Sequence, residues 1–280
     1  MRKVNVAKIK DAVRELCLKA NFQLRGDILH ALKKAAAGET DRRARRILES
    51  IVENAAIARD NAIAICQDTG MVYVHLDIGQ KVALTGGSLR RAVNEGVREA
   101  YCGGYLRKSV VADPFLRKNT ATNEPAILVT DIVDGDRVEI EVSPKGFGSE
   151  NKSRIKMFRP TAPIEEIKEF VIDVVKAAGP DACPPLVLGI GIGGTFDKAA
   201  ALAKKALLRS IGKRNPKKHM AGLEKELLRE INATGIGPMG LGGRTTALGV
   251  NILEHPVHIA GLSVAVNVSC HATRSAGKVI

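Results

Sequence analysis

The 280-residue chain is poor in aromatics, with three Tyr, six Phe and no Trp, 3% in all. A protein that stacks single-stranded bases on aromatic platforms needs more than this. Long apolar runs are missing too. Stretches such as Leu186 to Ile192 and Leu262 to Val268 fall far short of the roughly 20 residues that cross a bilayer. The N-terminus is charged from its second residue and has no apolar h-region, so no secretory signal is read and a cytoplasmic setting is expected. No C-x-x-C spacing occurs among the five cysteines, and in a cytoplasmic chain they do not suggest a disulfide framework. What is present is ordinary for a globular protein: 45% hydrophobic and 26% charged residues.

Acidic residues are outnumbered, leaving a net charge of +13. Arg42-Arg43-Ala44-Arg45-Arg46 has the look of a nucleic-acid contact. Ile47, Leu48 and Ile51 follow at helical spacing, however, which makes the cluster the solvated face of an amphipathic helix. The cations from Arg209 to Lys218 suit a helix end and the loop beyond it. A field of this sign could also draw in a dianionic substrate or an acidic partner subunit.

The pattern along the chain predicts a mixed α/β protein, helical at the N-terminus and α/β thereafter. The expectation is one domain over 1–280, with a helical lobe 1–64 and an α/β lobe 65–280. Ile9, Val13, Leu16 and Ala20 share one helix face, and Ile28, Leu29, Leu32 and Ala36 another. Thr40 is the expected cap of a longer helix ending before the turn Cys66-Gln67-Asp68-Thr69-Gly70. A strand follows from Met71, then a helix capped by Ser88 and stopped at Gly103-Gly104. The β-rich runs 126–133 and 137–142 flank Asp134-Gly135, which signals a hairpin. Later come a helix opened by Pro163, a strand from Leu186 into the turn Gly191-Ile192-Gly193-Gly194, and a final strand that leads to Cys270.

The cysteines differ by context. Cys17 lies on an apolar helix face and reads as core, and Cys102 beside two glycines reads as structural. Cys66, Cys183 and Cys270 each lie in irregular backbone, where a thiolate can project into a pocket. Their wide spacing carries no ligand signal, and three isolated cysteines are more often unrelated than convergent. Gly189-Ile190-Gly191-Ile192-Gly193-Gly194 departs from the dinucleotide fingerprint by placing Gly194 one residue early, with no acidic partner about 20 residues on. The loop Lys145 to Ser153 reads either as a solvated turn or as an anion-binding loop in which glycine N–H groups and Lys145 meet a carboxylate. His258, shortly before the last strand, is either structural or an acid–base group.

In order, the chain carries Cys-Gln-Asp-Thr-Gly at 66–70, Gly-Tyr-Leu-Arg at 104–107, Asn-Thr-Ala-Thr-Asn-Glu-Pro at 119–125 and the 145–153 loop. Ala-Cys-Pro-Pro at 182–185, Gly-Ile-Gly-Gly-Thr at 191–195, the glycine-rich 234–246 segment and Cys-His-Ala-Thr-Arg at 270–274 complete the set. Together these resemble the α subunit of class I, iron–sulfur-dependent fumarate hydratase, and equally that of L-tartrate dehydratase, over nearly the whole chain. The resemblance implies a 4Fe–4S cluster on Cys66, Cys183 and Cys270 with one iron open, and hence sensitivity to oxygen. It implies substrate contacts from Gln67, Asp68, Arg107, Gly148 and His258, with Asp68 and His258 in proton transfer. Phe147 stands where the family loop has a glycine, which could narrow the pocket or shift the loop. Single-chain members continue into a C-terminal region that supplies further arginines, a lysine and the proposed base. The implied partner is therefore a separate β subunit in a heteromer such as α2β2, with the 234–246 glycines as interface backbone. The implied activity is interconversion of fumarate and (S)-malate, or else dehydration of L-tartrate to oxaloacetate. A basic nucleic-acid-binding protein with a structural cluster is the remote alternative.

Overall fold

A computed structural model describes all residues, 1–280. In chain order the elements begin β1 (Arg2–Asn5), α1 (Val6–Phe22), α2 (Gly26–Gly38), α3 (Arg42–Asn61), β2 (Met71–Gly79), β3 (Val82–Thr85) and α4 (Leu89–Gly103). There follow β4 (Ile127–Val133), β5 (Val138–Lys145), α5 (Phe147–Glu150), β6 (Arg154–Phe158), α6 (Ile164–Ala178) and β7 (Leu186–Gly193). The chain ends with α7 (Phe196–Ala206), α8 (Lys218–Ala233), β8 (Ala247–His255), β9 (Leu262–Ser269) and β10 (Ala276–Val279).

These elements form two compact units. Unit 1 comprises residues 1–25, 55–147 and 274–280; unit 2 comprises 26–54 and 148–273. The expected lobes 1–64 and 65–280 do not follow this division. The reason is amphipathicity: α1 buries Ile9, Val13 and Leu16 in the same core as the sheet residues Val72, Val74, Ile140 and Val142, so it belongs with strands far along the chain.

Unit 1 is built on a sheet of order β10-β5-β2-β4. β2 runs antiparallel to β5 and parallel to β4. The hairpin expected at Asp134-Gly135 therefore does not form, because β2 lies between the two runs that were to pair. The connection instead crosses the end of β2, where Gly79 N donates to Arg137 O at 2.8 Å and Gln80 N to Val133 O at 2.7 Å. One face of β2 gives Val72, Val74 and Leu76 to the core; the period of two puts Tyr73, His75 and Asp77 on the other. Gly96 lets α1 and α4 close up, since a Cβ there would stand 2.5 Å from Lys10 O.

Unit 2 carries a sheet of order β6-β9-β7-β8. Leu186, Leu188 and Ile190 of β7 pack with Val171 and Val175 of α6 and Leu227 and Ile231 of α8. On the opposite face of β7 Val187 is followed by Gly189, Gly191 and Gly193, and α7 lies against Gly189 and Gly191. A Cβ on Gly189 or Gly191 would come within 2.1 or 2.0 Å of the Ala203 or Ala199 carbonyl. Gly189 lies in the strand as expected, and Gly191 continues it where a turn was expected to begin; the chain turns at Gly193 and Gly194, with φ of +87° and +67°. The cap of α3 also shifts by one residue: Asp41, rather than Thr40, takes Ala44 N on its Oδ1 at 2.7 Å. Arg42, Arg43, Arg45 and Arg46 are exposed, as a solvated face requires. Arg209 is different, for its guanidinium is spent on Glu224 and Asn251 inside unit 2.

Candidate active site

In unit 1 the turn 66–70 joins α3 to β2 and is held from several sides. Ile65 N donates to Asn21 O at 3.0 Å just before it. Cys66 is half-buried, and its thiol lies 3.3 Å from Gln67 Oε1. Asp68 takes Gly70 N on Oδ1 at 3.1 Å and Phe147 N on Oδ2 at 2.8 Å. Its own carbonyl accepts from the Arg274 guanidinium. Thr69 donates its hydroxyl to Arg107 O at 2.6 Å, and Asn123 Nδ2 donates to Gly70 O at 3.1 Å. Gly70 has φ +76°, and a Cβ there would lie 2.6 Å from the Lys145 backbone. Only glycine satisfies both conditions.

The backbones of Cys66, Gln67, Asp68 and Arg107 are thus tied together, while the Gln67 and Arg107 side chains are exposed. Two buried cations stand behind them. Lys145 ends β5, and Arg274, 4% exposed, keeps Nη1 without a hydrogen-bond partner. Lys145 was expected from the loop composition. Arg274 was not singled out, although it closes the Cys-His-Ala-Thr-Arg motif.

In unit 2, Cys183 follows a 3-10 turn over Gly179–Ala182 and adopts φ 52°. Its carbonyl accepts both from His271 N at 3.2 Å and from His271 Nδ1 at 3.0 Å. Since His271 follows Cys270, this pair of bonds holds two cysteine-bearing segments side by side. The donation from Nδ1 also fixes the ring tautomer, with Nδ1 carrying hydrogen. The glycine-rich segment supports the same turn: Met239 N donates to Pro184 O at 2.8 Å, and a Cβ on Gly240 would lie 2.5 Å from Pro180. A cavity of about 400 Å³ opens beside His271, lined by Arg43, Arg46, Ile47 and Ile51 of α3 and by Met239.

Gly148 lies in the short helix α5, where the Phe147 side chain is half-exposed. The loop after it is not merely solvated. Glu150 is bonded to Asn267 at 2.8 Å and to Lys204, Ser153 Oγ accepts from Asn267 at 2.9 Å, and Lys152 pairs with Asp181 at 2.6 Å. His258 occupies the exposed connection from β8 to β9, with Nδ1 accepting from Ala260 N at 3.1 Å.

The remaining cysteines separate cleanly. Cys17 is fully buried in the core of unit 1, and burial pushes its thiol well up. Cys102, expected to be structural, is exposed in the last turn of α4 and packs into no core. None of the five is joined in a disulfide.

A further polar group in unit 1 was not read from the sequence. His75 Nε2 lies 3.0 Å from Asp77 Oδ1 and 3.4 Å from Asp131 Oδ2. His-x-Asp on a strand was the available signal, since the period of two puts both side chains on one face. Asp131 comes from the adjacent strand, opposite Asp77 in the register of β2 with β4. On the same face the Tyr73 hydroxyl is pushed up to about 12, by burial first and then by Asp131 and Asp77. No helix of the chain is long and apolar enough to cross a membrane.

Comparison with known proteins gives one consistent result. A family model described as "Fumarate hydratase (Fumerase)" matches residues 10–278. A protein of Methanocaldococcus jannaschii named "Putative L(+)-tartrate dehydratase subunit alpha" is 44% identical over 277 residues, covering 97% of each chain. The L(+)-tartrate dehydratase subunit alpha of Escherichia coli strain K12 is 32% identical over 272 residues, covering 96% of this chain and 89% of its own. With the family match running almost end to end and the motif residues placed as described, the chain belongs to the fumarate hydratase family of hydro-lyases.

Proposed function

We propose that this chain is the cluster-bearing α subunit of a hydro-lyase that removes water from, or adds it to, a four-carbon dicarboxylic acid. The reading carries Cys66, Cys183 and Cys270 as ligands of a 4Fe–4S cluster, in a cytoplasmic enzyme completed by a separate β subunit, for example as α2β2. The observation that supports it most directly is the double donation of His271 to the Cys183 carbonyl, which sets two half-buried cysteines on adjoining segments. The donor set suits the group: soft thiolates select iron–sulfur clusters, whereas Cys17 is sealed in apolar core. Bound there, the cluster would supply an open iron as Lewis acid toward the hydroxyl that leaves as water.

The chain's own residues would bind and orient the substrate. Arg107, on a backbone tied to the 66–70 turn, suits a bidentate grip on one carboxylate. Gln67 and the backbone at Gly148 would add polar contacts. Asp68 is held through both carboxylate oxygens by backbone N–H groups, so its position is set before substrate arrives. His258 accepts a backbone N–H on Nδ1, so in neutral form its proton sits on Nε2, the atom available for transfer.

Fumarate and (S)-malate are the first proposed pair. L-tartrate, going to oxaloacetate, is the second reading and is favoured by the names of the relatives at 44% and 32% identity. An anaerobic assay of the reconstituted αβ complex against malate, fumarate and both tartrates decides between them. Turnover of none of the four would overturn the substrate class.

A further inference from the structure

The connection from α4 to β4, residues 104–126, is long for a loop without strands or helices of its own, and such loops are usually functional. It shows three large apolar side chains almost entirely to solvent: Tyr105 at 93%, Phe115 at 90% and Leu116 at 83% exposed. Each such side chain adds apolar surface that water hydrates poorly and that a bound partner would cover.

The loop is nonetheless rigidly built. Asp113 accepts Phe115 N at 2.8 Å and Leu116 N at 2.7 Å on its carboxylate. Ala112 N and Thr120 N close a small ladder onto Lys118 O and Val110 O, at 2.8 and 2.9 Å. The base is pinned by Asn123, whose Oδ1 takes Ser109 N at 2.7 Å. Strain gathers here as well: of the seven non-glycine residues at positive φ in the chain, Tyr105, Arg117, Ala121 and Asn123 are four. Strained backbone survives where the surroundings over-determine it, and it clusters at functional sites.

We infer that Tyr105, Phe115 and Leu116 form a preformed docking arm for the β subunit, and that β meets it with an apolar pocket rimmed by acidic residues. The inference rests on the two-subunit reading above. Rigid aromatic and aliphatic anchors are what interface hot spots are made of, and preformed ones lose little entropy on binding. The sign of the rim follows from charge. Arg107, Lys108, Arg117 and Lys118 flank the anchors in sequence. Of the loop's two acids, Asp113 is turned onto backbone N–H groups that keep its carboxyl low, and Glu124 lies by Arg98 at the loop's far end. A second copy of this chain would bring the same cations, and a net charge of +13, against them. Arg107 lies within the arm. A partner seated there would shut water away from the proposed carboxylate grip and strengthen it.

The test is affinity for the cognate β subunit by titration calorimetry, using cluster-loaded α chain. Phe115→Ser with Leu116→Ser should weaken binding at least 100-fold, with iron content and Tm unchanged. Arg117→Glu with Lys118→Glu should slow association and flatten its salt dependence. Hydrogen exchange of the unaltered chain should show amides of 105–118 protected when β is added. If β binds the unaltered chain and neither the variants nor the exchange pattern differ, the arm is not the docking site. Loss of self-association or of oligonucleotide binding in the variants, with β affinity intact, would likewise overturn the inference. Failure of β to bind the unaltered chain at all would instead refute the two-subunit reading.

Discussion

Arg274 is the residue on which the candidate site of unit 1 closes. It is 4% exposed and donates to the carbonyl of Asp68. Arg274→Gln would leave the Asp68 and Pro144 carbonyls without its guanidinium, at a cost of about 1–3 kcal/mol. A thermal melt should show the loss, and Arg274→Lys should recover only part of it, because the fork geometry is gone. The cysteines make a sharper test. Cys66→Ser, Cys183→Ser and Cys270→Ser should each lose the brown colour and most of about four irons per chain after anaerobic reconstitution. Cys17→Ser and Cys102→Ser should keep both, since one thiol is sealed in core and the other is exposed on a helix end. If all five behave alike, the proposed ligand set is wrong. At this scale the motifs were legible because their residues are neighbours in sequence. Arg274 was not, since its task is set by Asp68, which is remote in sequence.

At the scale of elements, β7 and α7 show how strongly packing can dictate composition. Gly189→Ala or Gly191→Ala would drive a methyl into a helix carbonyl at about 2 Å. A loss of roughly 1–3 kcal/mol or more is expected, read as a lower midpoint in urea. On β2 the pH dependence can be signed. The folded state raises Tyr73 to about 12 from an ordinary value near 10, by burial foremost. The neutral phenol is therefore the favoured folded form. Its contribution is complete below pH 10, and it is lost as pH rises toward 12. Stability measured in urea should fall over that window, and Tyr73→Phe should make the fall shallower. Tyr101, also raised by burial, keeps it from vanishing. The Asp134-Gly135 signal failed on this same sheet. Turn chemistry is local, and it could not report that β2 takes the place between β4 and β5.

For the whole molecule, each unit carries its own sheet and its own share of the motif residues. Cys66, Gln67, Asp68 and Arg107 belong to unit 1; Gly148, Cys183, His258 and Cys270 belong to unit 2. If a β subunit supplies the remaining groups, the isolated chain should show little hydratase activity, and co-expression with β should restore it. Full turnover by the chain alone would count against that division of labour. The excess of cations fits an acidic companion better than a second copy, since like fields repel over roughly 10 Å at ordinary salt.

The sequence by itself determined the helix faces of α1 and α2, the Ser88 cap, the strand β9 into Cys270, though not β10 after it, and the ordered motifs of the family. Each of these depends on residues within a turn or two of one another, where periodicity and capping act. Only the tertiary structure decided the strand order around β2, the purpose of the β7 glycines, the joining of Cys183 to His271 and the exposure of Tyr105, Phe115 and Leu116. These depend on burial and on pairing between distant segments, and in a linear pattern a buried Phe and a solvent-exposed one look the same.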